Sequence, residues 1–214
     1  MTPSAVITTA PPRRTSYAKA ALWTVMALMT LSVIILSEIP LFKLTHPRHL
    51  HLVSIRWMLI PHALAGTTAT LIGPLQFSTR LRSRHLTLHR ILGRVYVVAI
   101  LIAAPLAIYI ATINHQPAIF YTGTIVQSGS WIVTTLAAFL AARNRHIQQH
   151  RQWVVRSYAV TFTFILVRVL NPVPAWYNLS DDAFGAAILV IVFLALLIPD
   201  LAFHWRELTT RRAR

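Results

Sequence analysis

Six apolar stretches, each close to the length of a membrane-spanning helix, constrain this chain more than any other feature. They run over roughly 20–39, 57–77, 91–113, 119–142, 153–170 and 183–203. A helix rises ~1.5 Å per residue, so about 20 residues cross a hydrocarbon core ~30 Å thick. The expected fold is therefore an all-α membrane protein, a bundle of about six transmembrane spans. The fifth stretch is the shortest, with Arg156 and Arg168 inside it or at its edges. Residues 56% hydrophobic and 12% charged, against roughly 25% charged in an ordinary soluble domain, could not cover a water-facing surface.

The domain organisation follows from these stretches. A polar tail, 1–19, carries Pro11, Pro12, Arg13 and Arg14 and leads directly into the first apolar stretch. That stretch is long enough to span and is followed by no small-residue cleavage site, so it reads as a retained span rather than a signal peptide. The six-span bundle occupies 20–205, and a basic tail, 206–214, closes the chain.

Charge orients the bundle. The chain has 20 Lys and Arg against 5 Asp and Glu, a formal charge of +15. In a soluble protein this would suggest nucleic acid; in so hydrophobic a chain it points to orientation signals and contact with anionic lipid, with no nucleic-acid partner. Arg13, Arg14 and Lys19, the run from Arg80 to Arg94, the run from Arg143 to Arg156, and the arginines from Arg206 onward fall in alternate connections. By the positive-inside bias, both termini are expected in the cytoplasm of a cell whose inner or plasma membrane holds the chain. The opposite connections hold Lys43, Arg48 and Arg56, the uncharged 114–118 turn, and a segment with Asp181 and Asp182. Asn171-Pro172-Val173-Pro174 stops a helix there, and Trp176 and Tyr177 suit an interfacial position.

Cysteine is absent, which removes disulfides, thiol catalysis and cysteine-based zinc or iron–sulfur sites. Histidine is left as the strong transition-metal ligand present in number. Few carboxylates and no convincing Ser/His/Asp set also argue against a hydrolase.

Three stripes carry chemistry. In the second span His62, Gly66, Ala69, Gly73 and Gln76 share one helical face. Small residues there allow close packing, or leave room for a flat cofactor with His62 as a ligand. In the third, His89, Gly93 and Tyr96 share a face beside Arg80, Arg82, Arg84, His85, Arg90 and Arg94. Those arginines are what a cytoplasmic loop would hold, and they are also suited to a carboxylate or phosphate. Along the fifth, His150, Ser157, Thr161, Phe164 and Arg168 form a polar stripe that must avoid lipid. The matching acids by depth are Asp200 for Arg156, and Asp182 or Glu38 for Arg168.

Depth also sorts the histidines. His89 and His150 lie at the inner level and His62 near the outer one, more than ~20 Å away. One haem could not join the two levels. His89 and His150 could hold a haem b on the inner side; His62 would need an outer partner, for which only His115, in a short turn, offers itself.

These motifs resemble a known family. His62-x3-Gly66 leading to Gly73-Pro74-Leu75-Gln76-Phe77, Arg80, His89-Arg90-x2-Gly93-Arg94-x-Tyr96 and His150-Arg151-x-Trp153-x2-Arg156-Ser157-Tyr158-Ala159 are similar to the bacterial domain-of-unknown-function 2306 family of predicted membrane proteins, over 62–168. The resemblance implies a multi-pass membrane protein and no particular activity. The layout of histidines is also similar to that of di-haem membrane cytochromes with b-type haems, although those present paired histidines at both levels. Two functional expectations follow. One is a haem redox protein using His89 and His150, with His62, Gly66, Gly93, Tyr96, Arg90 and Arg94 around cofactors and a quinone or other redox partner. The other is a non-enzymatic transporter, channel or accessory subunit whose stripes serve packing or a polar path.

Overall fold

A computed structural model describes residues 17–42 and 54–209, apart from the side chains of Arg206 and Glu207. The tail with Arg13 and Arg14, the connection with Lys43 and Arg48, and the basic residues from Arg211 lie outside the described residues. The elements are all helical: α1 (Tyr17–Leu41), α2 (Arg56–Gln76), α3 (Thr79–Arg84), α4 (Leu86–Ile113), α5 (Ala118–Arg143), α6 (Ile147–Val169), α7 (Pro174–Tyr177) and α8 (Asp181–Thr209).

Among the described residues, α1, α2, α4, α5 and α8 are long and apolar enough to cross a membrane. The sixth long helix, α6, is 23 residues long but too polar to qualify by composition. The reason lies in its position. α6 packs against α1, α2, α5 and α8, and Ser157, Thr161 and Thr163 are fully buried, so its polar side is covered by protein instead of lipid. Two ion pairs tie it to its neighbours: Arg156, in the middle of α6, pairs with Asp200 of α8, its Nε donating at 2.9 Å, and Arg168, in the last turn of α6, pairs with Glu38 near the end of α1 at 3.5 Å. Arg156–Asp200 is the pairing expected from depth, and Arg168 takes Glu38, one of the two acids, with Asp182, that depth left open. Outward faces stay apolar, with Leu64, Leu71, Val98, Val133, Phe193 and Ile198 exposed.

The last turns of α1 widen into a π-helix over Ile34–Glu38, a feature with no signal in the sequence. It ends on Glu38, which is turned inward and is only 7% exposed. Arg56, at the start of α2, donates to the Leu41 carbonyl and ties the ends of these helices together.

Small residues set the closest helix approaches. A Cβ on Gly185 would lie 2.6 Å from the Phe120 amide nitrogen and 2.7 Å from the Ile119 carbonyl carbon, and Gly123 sits 3.2 Å from the Gly185 carbonyl by the same construction. Backbone blocks both, so no side-chain rotation gives relief. Gly185→Val should part α5 from α8 and lower stability by about 1–3 kcal/mol. A melting midpoint in detergent equal to that of the parent chain would contradict this packing.

The α2 stripe is a packing face over much of its length. Ala69 is fully buried, and the Tyr158 ring occupies the space a side chain at Gly73 would need. Pro74 provides no amide for the Thr70 carbonyl one turn earlier, and the Tyr158 hydroxyl donates to that carbonyl at 3.3 Å. Gly66 differs: nothing lies within 4 Å of a Cβ built there, and it borders a small internal void.

Candidate functional site at the basic end of the bundle

His89 enters on the first turn of α4 and His150 on the first turn of α6. Their helices start from neighbouring connections, so the two imidazoles reach the same level. Both line one cavity of about 540 Å³, bounded also by Gln76, Gly93, Tyr96 and Thr135 and by apolar Val97, Phe139 and Val154. A second cavity, of about 390 Å³, again has His89, His150, Gln76 and Arg90 in its walls. Arg90, Arg94, Arg143 and Arg145 line the larger one. The site thus combines an apolar slot with a cationic rim.

The ring of His150 is held by its Nδ1, 2.9 Å from the Ala138 carbonyl. A carbonyl only accepts, so Nδ1 carries the proton and Nε2 of the neutral ring presents its lone pair. A carbonyl at one ring nitrogen is the usual support for a histidine that ligates a metal through the other. His89 Nδ1 is buried with no partner among the described residues, as is Gln76 Nε2. Two orphaned polar atoms in one cavity are costly unless a ligand or water meets them.

Above this cavity the bundle is closed by a hydroxyl girdle. Tyr96 Oη lies 2.9 Å from Ser157 Oγ and 2.8 Å from Thr161 Oγ1, and Thr135 Oγ1 lies 2.7 Å from Ser157 Oγ. The Trp131 indole donates to Thr161 Oγ1 at 2.8 Å, and Thr161 donates to the Ser157 carbonyl. Since Thr161 has one proton and uses it there, Tyr96 must donate to Thr161. Every donor in the chain ends on a fixed acceptor. Trp131 is 1% exposed and packs on Phe164 at 4.7 Å between centroids. Thr161→Val, nearly isosteric, removes the acceptor of a buried indole and should cost on the order of 2 kcal/mol. An unchanged midpoint in detergent melting would show that the girdle contributes nothing.

The histidine expected near the other end is separately placed. His62 is buried, and its Nδ1 lies 2.9 Å from the Ala103 carbonyl. It borders a void of about 20 Å³ with Glu38, Arg168 and Gly66, and a wider cavity of about 350 Å³ with Arg168. Neither is lined by a second histidine among the described residues; His115 is exposed in the turn before α5, with φ 47°. No group of three or more His, Asp or Glu residues suited to a metal ion occurs among the described residues.

Sequence reasoning therefore reached His89, His150, Gly93, Tyr96, Arg90 and Arg94, all of which share one cavity, while Gly66 and His62 sit at the other end. It missed the α5 contribution: Gln127, Trp131, Thr135, the Ala138 carbonyl, Arg143 and Arg145. A signal existed, because 127, 131, 135 and 138 recur at helical spacing on one face.

Bundle and cavity define a multi-pass α-helical membrane protein with an amphipathic pocket at its basic end. Residues 58–205 match the family model described as predicted membrane protein, DUF2306. The chain belongs to that family. No curated protein and no solved structure matches it.

Proposed function

We propose that the chain is a b-type haem protein of the membrane, with the cofactor in the cavity at the basic end. The observation that carries this reading is the convergence of His89 and His150 on one cavity of about 540 Å³ with an arginine rim. Bis-histidine ligation from two neighbouring helices is an established way to hold such a cofactor. His150 Nε2 is the prepared ligand, its Nδ1 fixed on Ala138, and the ring of His89, with Nδ1 unpartnered, is the second. Val97, Phe139 and Val154 suit a macrocycle, and Arg90, Arg94, Arg143 and Arg145 suit two propionates, which guanidinium groups bind by paired donors. Haem iron supplies one-electron chemistry between ferric and ferrous states. The protein positions the ligands, neutralises the carboxylates and limits water through the Tyr96–Ser157–Thr161 girdle.

The same girdle speaks against a continuous polar path through the bundle. Its protons are committed in one direction, and an indole N–H, a donor only, occupies the side toward the outer void. The arginine rim belongs on the cytoplasmic side by the positive-inside bias, and the membrane is the inner or plasma membrane. A reduced-minus-oxidised absorption spectrum of protein produced with haem in excess tests the reading. Sharp bands of a six-coordinate b-type haem are expected; a chain that stays colourless after haem addition would end it.

A further inference from the structure

We propose that the cavity around His62 binds a neutral hydroxylated ring of the quinol class, whose hydroxyl donates to His62 Nε2. The tautomer of His62 sets the polarity. With Nδ1 committed as donor to the Ala103 carbonyl at 2.9 Å, Nε2 of the neutral ring can only accept, and it has no protein partner among the described residues. The imidazole lines a cavity of about 350 Å³ formed between α2, α4, α5, α6 and α8. A ligand there must bring a donor.

The remaining walls specify its body and charge. Phe120, Phe164 and Phe184, with aliphatic residues such as Leu59 and Ile188, suit a flat apolar ring. Gln127 Nε2 gives one of its two N–H groups to Thr163 at 2.6 Å, leaving the other and its carbonyl oxygen, and the Asn171 amide lines the same cavity. These groups can meet a second ring oxygen. Among the described residues Arg168 is the one cation in the lining, and Glu38 pairs with it at 3.5 Å from behind. The pair leaves no net charge for an anion to answer, so the ligand is neutral. An apolar, aromatic pocket with a few placed polar groups is the usual form of a small-molecule site.

His62 and Arg168 also line the void of about 20 Å³ that Glu38 borders, room for a single water molecule. The Glu38 Oε2 is buried and has no partner among the described residues. A water there would satisfy that oxygen and connect it to the imidazole edge, making Glu38 a positioning residue behind His62.

The test is calorimetric titration of the full chain in detergent with decyl-ubiquinol and, separately, with decyl-ubiquinone. The quinone has carbonyls where the quinol has hydroxyls, so it cannot donate to Nε2. The parent chain should bind the quinol about tenfold more tightly than the quinone, the worth of one hydrogen bond. His62→Leu should lose that preference, and Leu59→Trp, which fills the cavity, should lose binding of both. Melting curves identify variants that fail to fold. Absence of quinol binding by the parent chain, or an undiminished preference in a folded His62→Leu chain, overturns the proposal. The titration needs no haem, so a colourless chain that keeps the quinol preference refutes the haem reading and leaves this one standing.

Discussion

Replacing Arg168 with leucine is expected to destabilise the bundle by about 3–5 kcal/mol, the usual cost of leaving one half of a buried ion pair alone. The expectation is asymmetric. The Glu38 side chain is 9% exposed and that of Arg168 is 32% exposed, so the carboxylate depends on the pair more than the guanidinium does. Arg168 borders the outer cavity, from which water can reach it; Glu38 Oε2 has no hydrogen-bond partner among the described residues. Glu38→Gln should therefore cost clearly less than Arg168→Leu. The double replacement, Glu38→Gln with Arg168→Leu, should recover most of the loss, because neither charge is then left alone. The midpoint of unfolding in mixed detergent micelles reads all three. If Arg168→Leu unfolds like the parent, the pair holds nothing and the π-helical turn that delivers Glu38 needs another explanation.

The second large effect concerns the imidazoles at the basic end. Alanine at either His89 or His150 should abolish the six-coordinate haem spectrum, since in the proposed site both imidazoles would be needed to hold the haem. The two losses should differ in kind. His150 is fixed by the Ala138 carbonyl, and its removal takes away the prepared ligand; haem content should fall most there. His89 is half-buried with Nδ1 unpartnered, so its removal should leave a weaker five-coordinate species on His150. Arg94→Gln should lower affinity for haem without altering the band positions, because it touches the rim and not the iron. Identical spectra in the parent and His150→Ala chains would exclude this cavity as the site.

What the sequence made legible follows from what is periodic. The spans were visible because apolar length is a local property; Arg156–Asp200 was visible because so few acids exist at matching depths, while for Arg168 depth left Asp182 and Glu38 both open and only the fold selects Glu38. His89 and His150 were legible as neighbours because both begin helices at the same level. α6 was marginal as a span because composition cannot say which face is covered; only the packing of α1, α2, α5 and α8 around it explains how Ser157, Thr161 and Thr163 are tolerated. The π-helical turn at Ile34–Glu38 leaves no mark on a pattern of consecutive apolar residues. The support of His150 by a backbone carbonyl was equally hidden, since every residue has one. In α5, a polar stripe was present, but Thr and Ser spaced among Ala and Leu resemble ordinary helix-packing positions. Their meaning emerges only where Tyr96 and Trp131 converge on Thr161.

The most direct measurement of the central claim is the haem content per chain of protein saturated with haem, washed free of excess and assayed as the pyridine complex. The account predicts one haem b per chain in the parent and none in the His89→Ala, His150→Ala double variant. A parent chain that retains no haem, or a folded double variant that retains as much as the parent, would contradict it.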